Sequence, residues 1–404
     1  MTTNKMLCTA RLILTIILMV LIMGSCCPCN RANIRFFPPT SKSFPLLEIS
    51  GNYQEIGNAI GSFFKREIQL VLTRRKSWLQ KIRTYSEKDP DQLAQHLQIQ
   101  AETHYPHLME ELRGMSRGAE VPFQDLFLLN IHAEMSAKLA SETRAEIPGC
   151  STIYWNSRDR KLLFHNEDGH QAYRDLMFMV KATLPSGVTV LTLTYPGFLM
   201  GNGPALNNHG IFQTTNFISG KHCRPGIPRY FLGRAVLEAK SLKEAIETVT
   251  RPERAFAYHH NLGSLTENKI YSVEVTPHNY QIVEPGHLYF HTNHLILDKT
   301  KATPQDMEYV RSSSLPRYET ISDSLQILTL SGGVQIKNIK DILSSHSRSP
   351  YSPCRHPRGE VKGITLATAL IDIHRGTLSI YRGNPCHAFP NQKGHEYSIR
   401  DLKN

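Results

Sequence analysis

The 404-residue chain contains no Asn-x-Ser/Thr triplet, which argues against the glycosylated surface of a eukaryotic secretory or lysosomal protein. Its longest apolar run, Leu12–Met23, is broken by Thr15 and falls short of the ~20 residues that a spanning helix needs. Beyond the N-terminus there is no Cys-x-x-Cys pair, so neither a zinc ribbon nor a thioredoxin-like site is expected. Acidic residues are in deficit, 35 against 46 Lys and Arg, for a net charge of +11. The basic residues are scattered, with Arg74-Arg75-Lys76 the densest run and no aromatic stacking motif beside it. That describes a solvated basic surface, and no nucleic-acid partner is expected. What is present, 40% hydrophobic and 20% charged residues, is globular composition and excludes wholesale disorder and a multi-span membrane protein.

The eight cysteines form two unlike groups: Cys8, Cys26, Cys27 and Cys29 crowd the N-terminus, and Cys150, Cys223, Cys354 and Cys386 are spread through the body. Four in so long a body are not a disulfide framework. Cys354 and Cys386 could pair in an oxidising compartment, leaving Cys223 over. Lys5 and Arg11 precede the apolar run, and Gly24-Ser25-Cys26 follows it. A basic start, a short apolar stretch and small residues at the exit read as an export signal over residues 1–26. Met23-Gly24-Ser25-Cys26 also resembles a lipoprotein box, with a plain cleaved signal or a short uncleaved anchor as alternatives. The expected location is exported, either periplasmic or tethered to the membrane as a lipoprotein. Residues 27–46, with Pro38-Pro39, read as an extended tether.

Residues 47–149 are mostly helical in pattern. Ile56, Ile60, Phe63, Phe64 and Ile68 keep the three-to-four spacing of a helix face, as do Leu108, Leu112 and Met115, and Val121–Glu134 reads as one further helix. The texture changes at Pro148-Gly149. Residues 150–404 read as short strands at Ser151–Trp155, Leu162–Asn166, Met177–Leu184, Val188–Tyr195 and Gly210–Phe217, a helix at Arg229–Thr250, and further strands at Ile270–Val275, Tyr280–Val283 and Leu288–Thr292. Helices at Pro304–Ser324 and Val334–His346 and a hairpin at Ile364–Arg382 follow. Strand runs with helices segregated between them indicate α+β with antiparallel sheets.

Cys150 stands at the break, where helix gives way to strand. A hairpin would return Asp168 beside it, and the polar run His291-Thr292-Asn293-His294 closes a later strand, where a site mouth is more natural than a core. The pairs His259-His260 and His291/His294 lack carboxylates at ligand spacing, and neighbours on a strand point to opposite faces; no metal and no cofactor are expected.

These stretches together resemble the acyltransferase and amidase family typified by acyl-coenzyme A:6-aminopenicillanic acid acyltransferase, related to the choloylglycine hydrolases, among the N-terminal nucleophile hydrolases. The match runs through Leu47–Gly61, Glu111–Val121, Asp125–Asn130, Gly149-Cys150, Asn166-Glu167-Asp168, Asn207-Asn208-His209-Gly210 with Asn216, and His291–His294. The resemblance implies a four-layer αββα sandwich of two antiparallel sheets, α+β in class, with residues before Cys150 as the α segment. It implies self-cleavage at Gly149-Cys150 and a thiol nucleophile whose own α-amine is the base. Asp168 would hold that ammonium, and Asn293 by its amide and Asn216 by backbone or side chain would donate to the oxyanion. The family's late arginine is replaced by Lys362 in Lys-Gly-Ile-Thr-Leu, with Arg355 as the substitute; lysine is not equivalent in a forked contact. The implied activity is hydrolysis of a small-molecule amide, or acyl transfer, through a thioester. A non-catalytic surface lipoprotein that retains the fold as a binding module is the alternative.

Overall fold

The computed structural model describes residues 33–139, 149–331 and 333–403. The export signal, the first residues of the tether and Pro148 lie outside the described residues. Among those described, no helix is long and apolar enough to cross a membrane.

Two sheets face each other. The larger has nine strands in the order β1-β2-β5-β6-β7-β8-β9-β10-β11: β1 (Asn33–Phe37), β2 (Leu46–Ser50), β5 (Phe178–Thr183), β6 (Thr189–Thr194), β7 (Ala205–Asn207), β8 (Ile211–Phe217), β9 (Tyr258–Ser264), β10 (Lys269–Val275) and β11 (Tyr280–Val283). The smaller has six in the order β12-β3-β4-β13-β14-β15: β12 (Leu288–His291), β3 (Ser151–Asn156), β4 (Lys161–His170), β13 (Gly363–Asp372), β14 (Thr377–Arg382) and β15 (His395–Ser398). Every pair is antiparallel except β2 with β5, which is parallel. That pairing joins a strand from before Cys150 to one from after it. Part of the expected tether is therefore a strand, because β1 pairs along its length with β2.

Alternation along β3 and β4 shows the layering. Ile153, Leu162 and Phe164 point outward and pack with Ile321, Leu325, Ile339 and Ile342. Those partners lie on the outer helices α10 (Leu315–Leu330) and α11 (Ile336–Leu343). Thr152 and His165 point inward; Thr152 Oγ1 donates to Asn216 Oδ1 on β8 at 3.0 Å. His259 of β9 stacks on His291 of β12 with ring centres 3.5 Å apart. His291 is held by Glu274 at 3.0 Å and His259 by Ser272 at 2.8 Å, so these histidines belong to a buried hydrogen-bond layer between the sheets.

Helices α1 (Tyr53–Phe63), α2 (Lys65–Arg74), α3 (Lys76–Lys88), α4 (Leu93–His104), α5 (Pro106–Ala119), α6 (Phe123–Asn130) and α7 (His132–Lys138) precede the strands of the second segment. Helix α1 opens on a capping box in which Asn52 and Glu55 bond each other's backbone N–H. It crosses α5 at backbone contact: a Cβ on Gly57 would lie 1.8 Å from the Glu111 carbonyl oxygen, and one on Gly114 2.2 Å from that of Gln54. This crossing is the physical reason for the glycines at spacing four in both helices. Beside it, Glu111 and Arg234 form a fully buried ion pair at 2.8 Å. The single helix expected over Arg229–Thr250 is two, α8 (Arg229–Val236) and α9 (Leu242–Thr250). The Asn207 amide bonds the carbonyls of Leu237 and Ala239 in the break, and Ser241 caps the restart. α12 (Pro385–Asn391) follows β14.

Candidate active site

Cys150 lies one residue before β3 and is buried. The register of β3 on β4 pairs Ser151 with Asn166, so Glu167, not Asp168, stands across from Cys150. The next residue, Asp168, pairs with Thr365 where β13 carries a bulge before Ala367, and it too lies in the wall of the site cavity. Both carboxylates thereby reach the sulfur's neighbourhood. Glu167 Oε1 lies 3.9 Å from Cys150 Sγ and accepts from the Tyr195 hydroxyl at 2.6 Å. Its other oxygen meets His165 Nε2 at 3.3 Å, and His165 Nδ1 meets Thr152 at 2.8 Å. Cys150, His165 and Glu167 could in principle offer three ligand atoms, but their bonds to one another and to Tyr195 and Thr152 account for the cluster.

Asp168 is buried and accepts from Thr365 Oγ1 at 2.6 Å, while its second oxygen has no partner. Burial raises its pKa to about 7, against the pull of Arg355 and Arg317 and the Thr365 bond. Burial likewise pushes the Cys150 thiol well up, and the charges of Glu167 and Asp168 push it further; the Asp168 backbone N–H and Arg317 oppose them. As it stands, the thiol is a protonated and poor nucleophile.

The backbone of Cys150 is held on both of its peptide groups. Cys150 N–H donates to Asn293 Oδ1 at 2.8 Å. Arg317 donates to the Cys150 carbonyl at 2.6 Å and to Asn293 Oδ1 at 2.7 Å. Two donors at one oxygen fix the Asn293 amide orientation, and its NH2 goes to the Phe217 carbonyl at 2.8 Å. Asn293 therefore accepts from the nucleophile's nitrogen in this structure, whereas the expectation was donation to an oxyanion. Gly149 sits under two guanidiniums: a Cβ there would lie 2.5 Å from Arg317 Nη2 and 3.0 Å from Arg355 Nη1.

Arg355, buried, reaches the site, and a Cβ on Gly363 would strike it at 2.4 Å. Lys362 does not: its amine bonds the Gly359 carbonyl at 2.8 Å on an exposed turn. Its backbone immediately precedes β13. The side chain of Asn216 is directed elsewhere, which leaves its backbone as the remaining half of the expectation. Its side-chain oxygen is taken by Thr152, His259 and Asn261 in the layer between the sheets, and its NH2 has no partner. Its neighbours Thr215 and Phe217, on the opposite face of β8, line the cavity instead.

That cavity has about 570 Å³ of empty space, and Cys150, Glu167 and Asp168 lie in its wall. The rings of Tyr173, Tyr195, Phe198, Phe217, Tyr230 and Tyr258 supply half of the rest. His132 and His170 also line it, both held neutral, chiefly by burial, with pKa values lowered to about 3. Sequence reasoning missed Glu167 and Arg317. The first was within the quoted Asn-Glu-Asp run and needed only the hairpin register. Arg317 lies within an expected helix and carried no local signal.

A thiol, a carboxyl that titrates near neutrality and two buried cations around one peptide bond suit acyl chemistry on amide nitrogen. Comparison with known proteins places the chain in that class. The profile of the family described as acyl-coenzyme A:6-aminopenicillanic acid acyl-transferase matches residues 155–387, and the chain belongs to that family. It is an enzyme acting on carbon–nitrogen amide bonds, as a hydrolase or an N-acyltransferase. It is similar to the beta-alanyl-dopamine/carcinine hydrolase of Drosophila melanogaster, 25% identical over 381 residues that cover 87% of this chain and 96% of the relative. It is also similar to the 40 kDa form of acyl-coenzyme A:6-aminopenicillanic-acid-acyltransferase of Emericella nidulans, 26% identical over 342 residues, 83% and 91% of the two chains. Among solved structures, a mutant conjugated bile acid hydrolase of Clostridium perfringens matches with a TM-score of 0.40 and 10% identity, over 63% of this chain and 94% of that one.

Proposed function

We propose that the protein is a cysteine amidase that cuts its own Gly149–Cys150 bond and then hydrolyses a small amide through a thioester on Cys150. The observation that carries this reading is the grip on Cys150: its N–H on Asn293 and its carbonyl on Arg317, with the thiol beside two carboxylates at an aromatic cavity. Asp168, with a pKa near 7 and one oxygen free, takes the thiol proton as general base. The sulfur attacks the Gly149 carbonyl carbon, whose oxygen gains negative charge close to the guanidiniums of Arg317 and Arg355. Asp168 passes that proton to the nitrogen as the C–N bond breaks, so the nitrogen leaves as the Cys150 amine, and water then hydrolyses the thioester to release Gly149 as a carboxylate and the thiol.

Cleavage changes the electrostatics of the nucleophile. The new α-ammonium lies one residue's breadth from the sulfur and faces Asn293 Oδ1, so it offsets the carboxylates that hold the thiol protonated. In turnover the neutral form of this amine accepts the thiol proton and returns it to the leaving nitrogen. Hydrolysis and transfer share the thioester and differ in whether water or an amine resolves it. An exported enzyme would not meet acyl-coenzyme A, which favours hydrolysis, and the segment over residues 1–26 is read as that export signal, with lipid on Cys26 as the tether. A cavity walled by aromatic rings suits amides with a flat apolar portion, and the Drosophila relative's named substrates, β-alanyl-dopamine and carcinine, are the first compounds to assay.

The mass of the purified protein tests the reading. Active wild-type protein should contain a fragment that begins at Cys150, and Cys150→Ala should remain one chain. Active wild-type protein that is uncut would overturn the mechanism. Fractionation and labelling with a palmitate analogue test the address; full-length cytoplasmic protein beginning at Met1 would refute export.

A further inference from the structure

A second set of soft and borderline ligands converges away from the thiol cavity. Cys354, His356, Cys386 and His346 each offer one atom, and the four atoms lie within 4.8 Å of one another. His356 Nε2 is 3.6 Å from Cys354 Sγ and 3.5 Å from Cys386 Sγ. The His346 ring is edge-on to His356 at 5.0 Å. A neutral imidazole has one lone pair on that nitrogen, so two thiols cannot both donate to it well. A tetrahedral zinc ion with Zn–S of about 2.3 Å and Zn–N of about 2.0 Å sets sulfur and nitrogen about 3.5 Å apart, which is the spacing seen for both sulfurs.

We propose that Cys354, His356, Cys386 and His346 form a structural zinc site. Two thiolates and two imidazoles in a closed set select zinc over harder cations, and binding releases the two thiol protons. The surroundings support the ligands. The Asn384 amide lies 3.6 Å from Cys354 Sγ and donates to the Arg355 carbonyl at 2.6 Å, and the Cys354 N–H bonds Ser345 at 3.0 Å. Cys386 and His356 are partly exposed and His346 exposed, which leaves an entry path for the ion. The ion would tie the segment after α11 to the first turn of α12. Arg355 lies between two of the ligands, so the clip would also fix the backbone that carries this guanidinium to Gly149. The inference runs counter to the expectation that no metal is bound, and it stands independently of the role of Cys150.

The test is metal content of the full chain, purified with reductant and zinc and then dialysed. About one zinc per chain is expected, and cobalt in its place should give tetrahedral d–d bands with a sulfur-to-cobalt charge-transfer band. Cys386→Ser and the surface variant His346→Ala should each lose the ion on dialysis, while Cys223→Ser should keep it. The His346 variant keeps the test open should the cysteine variant fail to fold. Absence of metal from the wild type, full retention in both ligand variants, or a Cys354–Cys386 disulfide in protein from the native host would overturn the proposal.

Discussion

Replacing Gly149 by alanine adds one methyl group at the point where both buried guanidiniums converge. The new carbon would stand 2.5 Å from Arg317 Nη2 and 3.0 Å from Arg355 Nη1, against the 3.5–4.0 Å of an ordinary contact. Arg317 must then retreat by about 1 Å. The same guanidinium holds the Cys150 carbonyl at 2.6 Å and Asn293 Oδ1 at 2.7 Å, and a shift of that size breaks at least one of these bonds. A hydrogen bond to a charged group contributes about 1.5–3 kcal/mol, which in a barrier is about ten- to hundredfold in rate. Gly149→Ala should therefore slow appearance of the Cys150-initiated fragment by that factor, read as intact mass against time after synthesis. Urea unfolding of the same change in a Cys150→Ala background separates a cleavage defect from misfolding. Cleavage of a well-folded Gly149→Ala chain at the wild-type rate would show that the arginine grip plays no part.

Asp168 imposes a pH dependence with a definite sign. Its folded pKa of about 7 is above its unfolded value, so the uncut Cys150→Ala chain should lose stability as pH rises from about 4 to 7, by up to about 4 kcal/mol, and Asp168→Asn should remove that slope in urea melts. Self-cleavage by the wild type should instead rise through pH 7, as the base form appears, and be lost in Asp168→Asn at every pH. Lys362→Met should leave cleavage and steady-state kinetics within about twofold of wild type, because the amine ends on the Gly359 turn; a large rise in KM would return it to the site. Glu111→Gln leaves Arg234 buried without its full countercharge and should cost about 3–5 kcal/mol, seen as a lowered thermal midpoint with the cavity untouched.

Elements with a clean period were legible in the sequence. The strands β3, β5, β6, β8 and β10 lie within a residue or so of their expected bounds, because each is a short run set between turn residues. What was lost is what only tertiary contacts decide. β1 reads as linker because Pro38-Pro39 follows it; it is a strand by pairing with β2 and by Phe36 packing on Phe63 and Phe64. The split between α8 and α9 depends on the Asn207 amide, far away in sequence. At the site, Cys150 and Asp168 announced themselves by position, while Glu167 depended on a one-residue register and Arg317 on a crossing of 167 residues to the Cys150 carbonyl. The Asn216 side chain was misplaced for a similar reason: a strand residue's chemistry is visible in sequence, but which side of the sheet it faces is not.

The parallel pairing of β2 with β5 has a consequence for the molecule's life history. Strands β1 and β2 and helices α1 to α7 all come from before Cys150 and form part of the larger sheet and its covering. A cut at Gly149 would therefore release nothing; it would turn one continuous polymer into two interlocked pieces. Folding before the cut is unimolecular, with one continuous chain holding both halves at high effective concentration. Unfolding afterwards sets two fragments free to diffuse, and reassembly then depends on protein concentration. A matured enzyme of this design would be protected by its unfolding barrier more than by reversibility, and a denaturant pulse that the Cys150→Ala chain survives should inactivate the cut form permanently at low concentration.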